Sequence, residues 1–458
     1  MYVGLKPCDL HMNLEQALQH LQPDAAEAQV MESFAPPFLE ALGFGHSERF
    51  SQFPVGKKPK VDYAARKNIG EDIFSQSLKH PYLYVEVKGR SKNLEDSNHT
   101  HYREASQQLK EYLLAPASKS VKWGIITNSL HVQLFHKHGK VVYPVTPCLS
   151  LDNDVKSIIK DLRRRIESPS RALIVAIYNN KGGVGKTTTT LNLATTLTLL
   201  KKRVLIVDFD PNQSDLGDAL NLAPFQGKFL NILKSKDPNI REVITEHKLE
   251  HPRVKEPPSF DIILADEQLA NLFDEAKLSQ HLKLHALRRV LKSVQDDYDY
   301  ILIDAPPNWR LFAKKAIFAA DAVLIPARHD NLHSLQNAGT AITQFIPEMQ
   351  KERQQFGESG PIALPIFMNN TFKPTSPAIL LMRQAIAKII QDAKINHNGF
   401  DLKPYFYPKS SKGHENCKMI SIPYMACISR ADFMHMPAAF AFKPAREQYL
   451  NLVKEYFL

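Results

Sequence analysis

Asn180-Lys-Gly-Gly-Val-Gly-Lys-Thr-Thr188 comes just after the apolar run Ala172-Leu-Ile-Val-Ala-Ile-Tyr178. An apolar strand that enters a glycine-rich loop ending in Gly-Lys-Thr has the composition of a polyphosphate cradle. Gly182, Gly183 and Gly185 lack a Cβ, so backbone N–H groups from Lys181, Gly182, Gly183, Val184, Gly185, Lys186, Thr187 and Thr188 can close around phosphate oxygens. Lys186 supplies a point charge for the β- and γ-phosphates, and the Thr187 hydroxyl is a ligand for Mg²⁺. A helix starting near Lys186 aims the positive end of its dipole at the same place.

The loop resembles the deviant Walker A motif of the ParA/MinD family of partition and positioning ATPases. Asn180 stands where an ordinary phosphate loop has its first glycine, and Lys181 adds a second lysine. The resemblance implies that Lys181 reaches the nucleotide of a partner copy, so that ATP binding and homodimerisation become one event. Two further segments occur in the family's order. Arg203-Val-Leu-Ile-Val-Asp-Phe-Asp-Pro-Asn-Gln-Ser214 resembles its second motif, although glutamine follows the proline by one extra residue here. Tyr298-Asp-Tyr-Ile-Leu-Ile-Asp-Ala-Pro-Pro307 resembles the Walker B strand.

Residue by residue, the resemblance makes Asp210 the group that orients the attacking water, with Lys181 and Lys186 beside it in catalysis. Asp208, Asp304 and Thr187 then belong to the Mg²⁺ shell. Asn369, after the expected strand Ile362–Met368, stands where family members contact adenine. Asp208 and Asp210 each have a plainer reading as a helix cap, and Asn369 as a turn residue in Asn369-Asn370. The implied cofactors are ATP and Mg²⁺. The implied partners are a second copy of the chain, non-specific DNA, and a ParB-like or adaptor protein that stimulates hydrolysis. Lys373, Arg383, Lys388 and Lys403 are the DNA-contact candidates.

A second constellation lies earlier. Val61-Asp-Tyr63 is followed by Tyr84-Val-Glu-Val-Lys88, and strand alternation puts Glu86 and Lys88 on one face. Asp62 and Glu86 on neighbouring strands can hold Mg²⁺ while Lys88 assists a water nucleophile. With Glu27, Gln108-Leu-Lys-Glu-Tyr112 and Trp123-Gly-Ile-Ile-Thr-Asn128, the order resembles the PD-(D/E)XK nuclease fold. The likeness is greatest to the N-terminal domain of type I restriction endonuclease R subunits. Val61 replaces the proline usual before the first acid. An active nuclease and a catalytically idle DNA-binding module both remain open. His99 and His101, in a polar loop, read as surface residues.

The expected fold is α/β: a P-loop NTPase domain with a mostly parallel sheet flanked by helices, preceded by a restriction-endonuclease-like α/β domain. Boundaries are expected at 1–150 for the nuclease-like domain, 151–170 for a helical linker ending in Ser168-Pro169-Ser170, and 171–458 for the ATPase domain. Residues 24–45 read as helix, either as one or as two short ones broken at Pro36-Pro37. Strands are expected at 172–178, 203–208, 299–304, 321–326 and 362–368, with an amphipathic helical stretch at Leu278–Val294.

The chain has 458 residues and 58 Lys and Arg against 48 Asp and Glu, a net charge of +10. Most of that excess falls after residue 170, which favours attraction to phosphate backbones. Four scattered cysteines, Cys8, Cys148, Cys417 and Cys427, have no metal or redox spacing. No apolar run reaches membrane-spanning length and Met1–Asp9 lacks a signal-peptide layout, so a cytoplasmic, nucleoid-associated protein with no membrane partner is expected. The terminal stretch Glu447–Leu458 is amphipathic but not markedly basic, which argues against membrane-surface binding. The leading reading is a DNA-partition or positioning ATPase. The alternative is an ATP-regulated, Mg²⁺-dependent DNA endonuclease in DNA defence.

Overall fold

Strands before residue 169 and strands after it pair only among themselves in the computed structural model. The result is two units, residues 1–169 with 356–359, and residues 170–355 with 360–458. The structure describes residues 7–152, 154–169, 171–250, 255–270, 282–371, 376–408 and 419–458.

The first unit is built on β1 (Arg49–Phe53), β2 (Val61–Ala65), β3 (Leu83–Val87), β4 (Trp123–Thr127), β5 (His131–His138), β6 (Val141–Pro144) and β7 (Leu149–Ser150). They run in spatial order β1 to β6, with β7 added to β5. Only β3 and β4 are parallel, so the chain must cross the sheet between them, and Thr100–Leu113 is the crossover helix. It approaches closely. A Cβ on Gly124 would come within 2.9 Å of Leu109 and Leu113 carbons, which is why β4 carries a glycine there.

The opposite core joins Leu83, Val85 and Val87 to Phe34, Phe38 and Leu39, and to Ile159, Leu162 and Ile166. The last three belong to Val155–Glu167. The stretch expected as a connector therefore contributes a packed helix to the first unit, and Tyr82 donates its hydroxyl to Ile166 O at 2.9 Å.

Of the two readings, helical backbone continues through Pro36-Pro37, over residues 27–41. A π turn over Val30–Phe34 lets Ala35 N–H reach Val30 O, and Pro36 and Pro37 follow in the first turn of Ala35–Ala41. Neither proline can donate an N–H, and the π turn directly before them, which shifts the hydrogen-bond register, is where the helix accommodates that loss.

The second unit contains β8 (Leu173–Ile177), β9 (Val204–Asp208), β10 (Thr245–Lys248), β11 (Ser259–Ile263), β12 (Tyr300–Asp304), β13 (Ala322–Ala327), β14 (Ile362–Thr371) and β15 (Ile420–Pro423). Their order is β10-β11-β9-β12-β8-β13-β14-β15, parallel except for β10 against β11. Five of the eight coincide with the strands expected from sequence; β10, β11 and β15 were not foreseen. Every residue of β8, β9 and β12 is buried, as a parallel sheet covered on both faces requires.

After β8 the chain enters the helix Lys186–Leu199, which is threonine-rich and nevertheless largely buried. Three of its hydroxyls bond back within the helix: Thr190 donates to Lys186 O at 3.0 Å, Thr195 to Leu191 O at 2.9 Å and Thr196 to Asn192 O at 2.7 Å. Of the stretch expected as helix at Leu278–Val294, residues 278–281 lie outside the described residues and Ala286–Lys292 is helical. Among the described residues, no helix is long and apolar enough to cross a membrane.

Candidate functional site

β12 lies between β8 and β9, with Asp304 opposite Ile177 on one side and Asp208 on the other. Loops that leave these strand ends therefore converge, the usual position of a ligand in an open α/β sheet. The loop after β8 turns through left-handed glycines, Gly183 at φ +71° and Gly185 at φ +83°. A side chain on Gly185 would collide with the amide of Asn369, whereas Gly182 and Gly183 face open space. Asn369 is 5% exposed and donates Nδ2–H to Val184 O at 2.9 Å, bracing the loop from the end of β14.

Above the loop is a cavity of about 310 Å³. Gly182 through Thr188 form its floor, with Asp210, Gln213, Asp215, Ala305 and Asn369 around them and Tyr424, Met425, Ile428 and Ser429 opposite. Lys186 is 8% exposed and donates Nζ to Lys181 O at 3.1 Å. Burial lowers its pKa, while Asp304, Asp210 and Asp215 oppose that shift.

The acids pay the same desolvation. Burial pushes Asp304 up to about 7, against the pull of the Thr187 hydroxyl and Lys186. Asp208 is held well above the carboxylate range by burial and by Asp304, even though it accepts N–H groups from Asp210 at 3.3 Å and Gly217 at 3.4 Å. Burial also raises Asp210, which accepts the Asn212 N–H at 3.2 Å.

These residues fit ATP with Mg²⁺. Asp208 and Asp304 are short of positive charge, and the glycine loop has room for an anion. Among the described residues, no three His, Cys, Asp or Glu side chains form a metal cage of their own.

Residues 172–357 match the family model described as an AAA domain. The sporulation initiation inhibitor protein Soj of Bacillus subtilis is 37% identical over 158 residues, 34% of this chain and 58% of Soj. The chromosome partitioning protein ParA of Myxococcus xanthus is 37% identical over 155 residues, 33% of this chain and 51% of that protein. Residues 172–357 are an AAA domain of the ParA/MinD type. The chain spans little more than half the length of these relatives. Among solved structures, apo McdA of Cyanothece is 20% identical with a TM-score of 0.46, covering 62% of this chain and 99% of McdA.

In this ParA/MinD-type domain Lys181 is partly exposed, and its ammonium has no ion pair among the described residues. Gln213, one place later than the family's glutamine, lines the cavity, while Asn212 does not. Asp215 and the Tyr424–Ser429 wall had no sequence motif to mark them. Arg383, Lys388 and Lys403 are exposed, and Lys373 lies outside the described residues. Towards the C-terminus, Phe406, Tyr407 and Phe440 are buried, whereas Phe433 is 89% exposed.

The first unit holds its own buried acid pair. The pairing of Tyr63 with Val85 and Ala64 with Tyr84 carries Asp62 opposite Glu86. Glu86 is 2% exposed; its Oε1 accepts Lys88 Nζ at 2.6 Å and its buried Oε2 has no partner. Burial, then the charge of Asp62, pushes Glu86 up to about 7. Lys88 also lies 3.6 Å from Glu27. Asp62 accepts the Val87 N–H at 2.8 Å. Gln108 donates to the Tyr112 hydroxyl at 2.9 Å, and that hydroxyl reaches Lys60 O at 3.3 Å. An orphaned buried carboxylate oxygen beside a second acid fits a divalent cation. His99 instead caps the crossover helix, its Nδ1 accepting the His101 N–H at 3.2 Å.

Proposed function

We propose that this chain hydrolyses ATP, dimerises when ATP binds, holds DNA without sequence preference, and acts in DNA partition or positioning in the cytoplasm at the nucleoid. The observation that carries the proposal is one loop with two lysines of opposite character. Lys186 is buried among Asp304, Asp210 and Asp215, and Lys181 stands partly exposed without an ion pair among the described residues. Lys186 neutralises phosphate charge within its own subunit. Lys181 is free to do so in a second copy, which makes dimerisation depend on the nucleotide.

When bound, Mg²⁺ supplies charge neutralisation at the phosphates, and Thr187, Asp208 and Asp304 would hold it. Asp210 lines the cavity and keeps a carboxylate oxygen to orient water. The loop N–H groups receive phosphate oxygens, and Asn369 keeps the loop in place by holding Val184 O. The net charge of +10 supports DNA as the surface to which the dimer is bound. A ParB-like or adaptor protein that speeds hydrolysis completes the cycle.

A second reading has its own observation, the orphaned Glu86 oxygen beside Asp62 and Lys88. It makes the first unit a PD-(D/E)XK-type, metal-dependent endonuclease that ATP turnover gates, with a role in DNA defence. One experiment separates the two. Pure protein is incubated with Mg²⁺ and supercoiled plasmid, with and without ATP, while phosphate release and nicking are scored together. Phosphate release without nicking supports partition, and nicking that Glu86→Gln abolishes supports the nuclease. Absence of ATP hydrolysis under every condition overturns the leading proposal.

A further inference from the structure

We infer that Gln52 is a positioning residue for Asp62, held in an unfavourable backbone conformation so that its amide braces the carboxylate for a divalent cation. The inference rests on the metal-site reading of Asp62 and Glu86. β1 pairs with β2 through Ser51 opposite Tyr63 and Phe53 opposite Val61, which leaves Gln52 facing Asp62. The ladder keeps its register on both sides of this point, yet Gln52 has φ +51°. A residue with a Cβ rarely adopts that region, and inside a strand it gains no turn by doing so.

What the conformation achieves is a contact. Gln52 Nε2 lies 3.3 Å from Asp62 Oδ1 and 3.4 Å from the Met31 sulfur. Asp62 Oδ2 already accepts the Val87 N–H, so the two donors fix the carboxylate plane from both ends. They also favour the ionised form, against burial and the negative charge of Glu27. An amide does this without bringing a positive charge, which lysine or arginine would place against an incoming cation. The open ligand position beside it is the buried, unpartnered Oε2 of Glu86. Strain accepted at Gln52 thus yields a carboxylate that does not have to reorient when the ion arrives.

The test uses the full chain as wild type, Gln52→Gly and Gln52→Met, with Mn²⁺ as the probe. Thermal midpoints are measured in chelator and across a Mn²⁺ titration. Glycine relieves the strain and removes the amide, so the metal-free midpoint of the N-terminal transition should rise by about 2–4 °C. The Mn²⁺ concentration that stabilises this transition should increase about tenfold or more in both variants. Methionine keeps the length and the strain but has no donor, so it should show the weaker affinity without the higher midpoint. A Gln52→Gly protein that melts lower in chelator overturns the strain argument. Unchanged Mn²⁺ response in both variants, with a clear response in wild type, overturns this inference alone. Absence of any Mn²⁺ effect in wild type overturns the metal-site reading and the inference with it.

Discussion

Replacing Asp304 by asparagine keeps the shape of a side chain that is 3% exposed and removes its charge. Burial raises this carboxyl from its ordinary 3.8 to about 7. The native state therefore binds the extra proton between those values. The resulting stability is complete below the unfolded pKa and is lost as pH rises through the folded one. For a single group shifted this far, the loss between pH 5 and pH 8 comes to about 2–3 kcal/mol. Asp208 is shifted in the same direction, so the useful quantity is the difference between wild type and variant.

Urea unfolding of the C-terminal unit in chelator, at intervals from pH 5 to 8, measures that difference. The Asp304→Asn protein should lose less stability over this range than wild type, by about 2–3 kcal/mol. ATP with Mg²⁺ should restore much of the wild-type loss at pH 8 and little of anything in the variant. Parallel pH profiles for the two proteins would refute the claim that this acid is desolvated and uncompensated.

Lys186→Ala should abolish binding of a fluorescent ATP analogue, since it removes the buried ammonium that Asp304, Asp210 and Asp215 surround at the loop; wild-type affinity contradicts the phosphate-loop assignment. Asp210→Ala should bind ATP and give a dimer that persists in light scattering, whereas Lys181→Ala should bind ATP and remain monomeric. Identical behaviour of these two variants would sink the division of labour drawn between them. Lys315 is fully buried, donates to the main-chain oxygens of Leu282 and Lys283, and is lowered by burial to about 7. Its folded pKa lies below the unfolded one, so wild type gains stability as pH rises past 7. Lys315→Met should flatten that gain by about 2–3 kcal/mol between pH 6 and 9, as read by urea midpoints.

How legible each strand was depended on whether its burial was local. β8, β9, β12 and β13 are buried along their whole length, β14 is buried over residues 366–368, and all five read as apolar runs, so their positions could be placed from composition alone. β10 is Thr-Glu-His-Lys at the sheet edge, with three of its four residues exposed, and no apolar pattern marks it. β11 includes Ser259 and Asp261 because one of its neighbours is that polar edge. β15 has four residues and exists by pairing with β14. Such strands are specified by the neighbour that completes their hydrogen bonds, which a local reading of sequence does not contain.

The same distinction runs through the candidate sites. The phosphate loop was readable because glycines, lysine and threonine act within nine consecutive residues. Asn369 left two readings open, and its donation to Val184 O comes from a strand 185 residues further along the chain. The opposite wall at Tyr424–Ser429 is more distant still. Charge shows the limit most clearly. Asp304 and Glu86 could be named as acids from sequence, but the raised pKa of each is made by burial among side chains of other strands and helices. Gln52 carried no motif at all; its argument exists only once φ and the Asp62 contact are known together. A motif thus identifies which groups can meet a phosphate or a cation. Whether they wait in a costly state, ready to be relieved by that ligand, is decided by packing from the rest of the chain.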